Sequence, residues 1–276
     1  MAGARRQALK LGQHSSHPLV TGAPASALQP AARLDSMAGM QGCTAVSPQG
    51  FRWWPQAHPL TRARPPLITG LLVTLPVFVQ APWVRLAPFS AALFTVPLLA
   101  LALVLGQHQD PRLARAGDLL LGFCGSWLGG CLFWGWFRLH PLWHLPIEAF
   151  ALPLALTGLS GRWKLACGFY LGSLMGTAAT DAAIAATGVM SSWPEVLSAN
   201  PADASLLLQG LAQQVFSPLR LVLVITFAVG LIQACSWLWQ RGEAGRICAA
   251  ALATTLAVDG LFLAACLVAP ALTGLI

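Results

Sequence analysis

Apolar runs recur along the chain from residue 67, at about 67–83, 86–106, 117–137, 146–161, 165–187, 218–239 and 247–270. A helix needs about 20 such residues to cross a bilayer, and most of these runs are long enough. None alternates as a barrel strand does, and only helices and closed barrels satisfy their backbone groups in lipid. The pattern predicts an all-α fold, a polytopic transmembrane bundle of about seven spans over residues 61–276. Pro76 interrupts the first run, and the short fourth run carries Pro153. That fourth passage is expected to be tilted, kinked or partial, so six and eight are the neighbouring counts.

The fifth run has the most informative pattern. Gly168, Gly172, Gly176 and Thr180 recur every four residues and make one smooth stripe. Small residues at this spacing let a second helix backbone approach closely. Ser173, Thr177 and Asp181 make a polar stripe beside it, which turns the helix inward and predicts a central strut. Gly125 and Gly129 repeat the small-residue spacing in the third run, so the third and fifth spans are expected to touch.

Between the runs, charge sets an expected orientation. With the amino terminus in the cytoplasm, Arg52, Arg62, Arg64, Arg112, Arg115, Arg162, Lys164, Arg241 and Arg246 share the cytoplasmic face. Arg85, Arg138 and Arg220 fall on the other, as the positive-inside rule asks, and the carboxyl terminus then lies outside. Tryptophans near the run ends, among them Trp83, Trp143, Trp163, Trp193 and Trp239, predict two aromatic belts, with Trp127 alone placed deep.

The loop 188–217 would lie on the outer face. Ser192 with Glu195 reads as a capping box, and a second helix is expected after Asn200–Pro201. Leu207, Leu208, Leu211 and Val215 share one face of that helix, which either lies on the membrane surface or covers the bundle.

Residues 1–60, rich in Ala, Gly, Ser, Pro and Gln, read as a disordered tail. Met37 and Met40 offer alternative starts within it. Phe51 to Trp54, with Arg52, are placed to touch the membrane surface.

Composition agrees with this class. Hydrophobic residues are 56% of the chain and charged residues 9%, against about 25% charged in ordinary soluble domains. The net charge of +7 is spread singly between apolar runs, which excludes a nucleic-acid footprint. The expected partner is the lipid bilayer, with other membrane proteins or a second copy of the chain as further partners. The seven cysteines form no CxxC or CxxH pair, so neither a disulfide framework nor a metal centre is implied. Phosphate-loop, dinucleotide-binding and nucleophile-elbow motifs are missing, and no cofactor is implied.

Candidate chemistry lies in the acids at membrane depth, where charge is costly and by default functional. Asp118, at the start of the third run, reads as a favourable charge at a helix amino terminus. Asp181 lies about 10 Å inside the end of its span and Asp259 near mid-membrane, counting 1.5 Å per residue. Both serve equally well as functional groups or as polar ties between helices. His140, His144 and Glu148 are spaced as helical metal ligands can be, but Pro141 and Pro146 interrupt that helix, and an interfacial turn is the favoured reading. Arg220, near the depth of Asp181, is expected within salt-bridge reach of Asp181 or Glu148.

FWGWFRLHPLWHLPIEAFALPLAL (133–156) and GFYLGSLMGTAATD (168–181) resemble an uncharacterised family of cyanobacterial integral membrane proteins. The resemblance covers roughly residues 65–270. It implies a multi-pass protein of the plasma or thylakoid membrane and supplies no activity or catalytic residue. The leading functional reading is transport of a small solute or ion through a polar site in the outer half of the bundle. Glu148, Asp181 and Asp259 would line that site, with His140 and His144 at its mouth. The alternative is a non-catalytic scaffold or assembly factor for a photosynthetic or other membrane complex. An enzyme acting on a lipid is the weakest reading, because no catalytic cluster is evident.

Overall fold

A computed structural model of the protein describes residues 59–272, with side chains over 65–271. The tail expected over residues 1–60, with its alternative starts and the Phe51–Trp54 contact, lies almost wholly outside them. Every regular element among the described residues is helical. In chain order these are α1 (Pro59–Leu75), α2 (Ala81–Leu86), α3 (Pro88–Leu93), α4 (Thr95–Gly106), α5 (Pro111–Leu132), α6 (His144–Glu148) and α7 (Leu152–Gly158). There follow α8 (Lys164–Ala186), α9 (Trp193–Ser198), α10 (Pro201–Val215), α11 (Pro218–Trp239) and α12 (Gly242–Val268).

Among the described residues, five continuous stretches are long and apolar enough to cross a membrane: Pro65–Leu86, Pro88–Gly106, Pro111–Phe137, Pro218–Trp239 and Gly242–Val268. The first runs from α1 into α2 through a π turn, Pro76–Gln80, and the third extends α5 by a second π turn, Phe133–Phe137. Two predicted runs are absent from these five. The fourth run is broken into α6, a 3₁₀ turn at Ala149–Ala151, and α7. α8 has the length, at 23 residues, but its glycines, threonines and Asp181 lower its hydropathy.

α8 is at the centre of the bundle and packs most extensively on α12 and α5. The glycine stripe permits that packing. A Cβ at Gly168 would fall 2.8 Å from the Ala244 carbonyl oxygen, and one at Gly172 would fall 2.5 Å from that of Cys248. One at Gly176 would meet the Thr255 side chain at 2.6 Å. On α5, Gly125 lies against the Tyr170 ring of α8, whereas Gly129 faces the Glu148 backbone on α6.

These pairings also fix direction. α5, α8 and α12 run parallel, since Gly122 and Gly125 meet Ala166 and Tyr170 in that order, and Gly168 and Gly176 meet Ala244 and Thr255 in that order. α6 and α7 run against α8, since Gly158 meets Cys167, Glu148 meets Thr177 and His144 meets Asp181. The broken segment therefore carries the chain back along the bundle between two long helices.

The core is aromatic where these helices meet. Phe123, Trp127 and Phe169 are each 1% exposed. Trp127 is deep as its position implied, and its indole donates to the Ala91 carbonyl at 3.0 Å. Outside, the polarity is that of a lipid-facing protein. Leu101, Val104, Ile225 and Val229 are exposed, and α11 has no buried residue at all. Exposed apolar area on this scale belongs in hydrocarbon.

Two local expectations need correction. α5 starts at Pro111 with Asp110 as its cap, accepting from the Arg112 amide at 2.8 Å. Asp118 is thus two turns inside the helix rather than at its amino terminus. The Ser192 side chain makes no capping bond to α9, so the capping box is not formed. For α10, membrane surface and bundle cover are the two alternatives. It lies on the bundle, with Leu208 and Ala212 buried against Phe262 and Cys266 of α12. Its start is capped as the sequence suggests, with Asn200 accepting from the Asp203 amide at 3.0 Å.

Gly172→Leu should force α8 and α12 apart and destabilise the purified protein by roughly 1–3 kcal/mol, as overpacking does. Gly230→Leu on α11, where a Cβ meets nothing within 4 Å, should melt like the parent. Thermal unfolding in mild detergent measures both, and equal melting temperatures for the two variants would refute the close-packed seam.

Candidate functional site

A cavity of about 310 Å³ opens where α5, α6, α8 and α12 diverge beyond the glycine seam. Most of its wall is apolar. The polar exceptions include Gln80, Ser126 and Ser173, together with His144 and Glu148 from α6, Thr177, Thr180 and Asp181 from α8, and Thr255 and Asp259 from α12. Among the described residues, no lysine or arginine lines it.

The short helix α6 places His144 and Glu148 one turn apart on the same face. Pro146 does not prevent this, because it falls within the first turn, where a missing N–H costs nothing. His144 Nε2 lies 3.3 Å from Glu148 Oε1, and its Nδ1 lies 3.0 Å from Asp181 Oδ1. The three side chains are 19%, 15% and 16% exposed. Phe133, from the π turn that extends α5, stacks on the imidazole with centroids 4.1 Å apart. Trp134 presents its ring at 6.3 Å. The imidazole is thereby fixed in plane as well as in position.

Neighbouring helices supply further donors. Thr177 donates to Glu148 Oε2 at 2.8 Å. Thr180 donates to Asp259 Oδ2, joining α8 to α12. The Tyr170 hydroxyl donates to the Glu148 carbonyl, where the α6 helix gives way to the 3₁₀ turn, and accepts from the Ala151 amide at 3.2 Å.

Both nitrogens of one imidazole thus face carboxylate oxygens. An imidazolium donates to both, whereas a neutral ring donates to one and requires a proton on the other carboxyl. Either way the His144–Glu148–Asp181 group holds an exchangeable proton between two helices. Among the described residues, no three His, Cys, Asp or Glu side chains are arranged to hold a metal ion.

Of the residues singled out in the sequence, His144, Glu148, Asp181 and Asp259 line this one cavity. His140 does not. It is exposed and lines a second, more open hollow with Leu142, Trp143 and Pro194. Pro141 and Met190 border both hollows. The expected pairing of Arg220 is not made: its guanidinium donates to Gln214 Oε1 at 2.7 Å, and the ion pairs of Glu148 and Asp181 are with His144. Arg220 lies in the first turn of α11, beside the Gln214 side-chain oxygen at the end of α10.

Sequence reasoning missed Gln80. It is buried and donates to the Trp127 carbonyl and to Cys131 Sγ, and it lines the cavity beside the first π turn. A lone glutamine in an otherwise apolar run was the available signal.

Residues 69–267 match a family model described as "Protein of unknown function (DUF3120)". Neither a curated protein nor a solved structure matches the chain.

A double-mutant cycle tests the site's geometry. His144→Ala with Asp181→Asn should show non-additive losses of roughly 0.5–3 kcal/mol, the range for residues in direct contact. Arg220→Ala with Asp181→Asn should add within about 0.5 kcal/mol. Coupling in the second pair and none in the first would contradict the arrangement.

Proposed function

The chain belongs to this DUF3120 family, which assigns no activity, and on that premise we propose that the protein couples a proton to the movement of a small solute across a membrane. The carrying observation is the cavity itself. It holds an acid–imidazole–acid group and a further acid, Asp259, within an apolar bundle, and among the described residues no lysine or arginine in its wall fixes the acids as permanent salt bridges. Charged groups at such depth mark ion and proton paths. His144 relays a proton because its two nitrogens address acids on different elements, Glu148 on α6 and Asp181 on α8. Asp259, held by Thr180, gives the α8–α12 seam a second site of protonation.

The open hollow beside His140 is the route from the aqueous phase in this reading, with Pro141 and Met190 at the boundary of the two spaces. This reading takes the bundle to make seven crossings, with α6 and α7 as a broken fourth passage. Broken helices are tolerated at membrane depth where they line a cavity. The amino-terminal end of the bundle faces the cytoplasm. Arg112, Arg115, Arg162 and Arg241 gather at one end, where Arg162 donates to the Gly106 carbonyl and Arg115 pairs with Glu243 at 3.5 Å. Positive charge favours the cytoplasmic side.

Proteoliposomes carrying a pH-sensitive dye should show proton flux under an imposed potential, and Asp181→Asn should abolish most of it while the protein remains folded. Flux no greater than that of empty vesicles would remove the transport reading in favour of a scaffold. Orientation has its own test. In a cysteine-free background, Arg112→Cys should be labelled only from the cytoplasmic side and Asp203→Cys only from the opposite side. The reverse pattern, or labelling of both from one side, would defeat the seven-crossing arrangement.

A further inference from the structure

We propose that the cavity binds a small primary organic ammonium ion, a protonated amine with an apolar body. The inference deepens the transport reading above and rests on the same cavity. It begins with two carboxylate oxygens. Asp181 uses Oδ1 toward His144, and Asp259 uses Oδ2 toward Thr180. Asp181 Oδ2 and Asp259 Oδ1 have no hydrogen-bond partner among the described residues. Both side chains line the cavity, and one sits on each side of the α8–α12 seam.

A primary ammonium carries three donors and no acceptor. Two of them match the free oxygens of Asp181 and Asp259. The third matches a hydroxyl on the same walls, Thr177 or Ser173. The acids outnumber the one imidazole, and no lysine or arginine competes for them, so a ligand cation completes the charge balance that the protein leaves open.

The rest of the wall selects the kind of cation. It is mostly apolar, and Phe133, Trp134, Trp193 and Phe262 contribute aromatic surface. A bare inorganic cation gains little there, because losing its water requires a shell of oxygen ligands. An alkyl or aryl body gains from every apolar contact, and the ammonium gains again from a nearby aromatic face. The volume, about 310 Å³, is at the small end of ligand pockets, which excludes large lipids.

Calorimetry on the full-length protein in detergent tests this, with 2-phenylethylammonium as the probe and 2-phenylethanol as its uncharged analogue. The ammonium should bind at least about tenfold more tightly than the alcohol, because a charge-assisted hydrogen bond contributes more than a neutral one. Asp259→Asn should weaken the ammonium by about tenfold or more and leave the alcohol unchanged, whereas Asp259→Glu should restore part of the affinity. Trp134→Leu should weaken 2-phenylethylammonium more than methylammonium. Equal binding of ammonium and alcohol, no binding of either, or an Asp259→Asn variant that keeps full affinity would overturn the proposal. The proteoliposome experiment separates this failure from that of the transport reading: proton flux without ammonium binding removes the ligand class alone, and ammonium binding without flux removes transport alone.

Discussion

A carboxylate surrounded by apolar helices needs hydrogen-bond donors, and short donors need close backbones. That constraint ties together the two features that look separate in the sequence, the glycine stripe and the buried acids. A threonine hydroxyl reaches only a few ångströms from its own helix. Thr180 can serve Asp259 on α12 because α8 and α12 are already in close contact at Gly176 one turn away, against the Thr255 side chain, and at Gly172 two turns away, against the Cys248 backbone. Thr177 serves Glu148 on α6 by the same logic, with Gly129 of α5 pressed against the Glu148 backbone. Larger residues along the stripe would leave the acids unsatisfied, at a cost of about 1–3 kcal/mol or more for each charged group.

Much of this architecture was legible in the sequence, because it follows from hydropathy and spacing. The long apolar stretches and the inward stripes of α8 need only a period of 3.6 and a rule about small residues. The membership of the site was partly legible for the same reason: Glu148, Asp181 and Asp259 stand out in runs that are otherwise uncharged. The partners were not legible. Arg220 looked like the natural counter-charge for Asp181 because depth along a helix can be counted, but rotation around the bundle axis cannot. His144, placed at the mouth, is the group between two acids, since Pro146 sits within the first turn of α6, where an interruption was expected. The two π turns left no periodic signal, yet they bring Gln80 and Phe133 to the cavity wall.

The outer surface obeys a simpler rule. The exposed residues of α3, α4 and α11 are overwhelmingly apolar, and none of α11 is buried. Their side chains answer to lipid, so size there is nearly free and polarity is not. On α8 the reverse holds: polarity is tolerated because donors are near, and size is restricted by the neighbouring backbone. One chain thus carries two opposite substitution grammars, and burial decides which applies at each position.

The parallel arrangement of α5, α8 and α12 has a consequence for how the protein is made. α8 meets its most extensive partner only when residues 242–268 have been synthesised. At about 5–20 residues per second, the gap between the end of α8 and the start of α12 takes roughly 3–11 s. During that interval Thr180 lacks Asp259, and the glycine face of α8 lies open to whatever occupies the membrane beside it. The nascent chain must wait with its seam exposed, which makes α12 the helix that closes the seam. A chain that stops before α12 leaves an unfinished surface for membrane quality control to read.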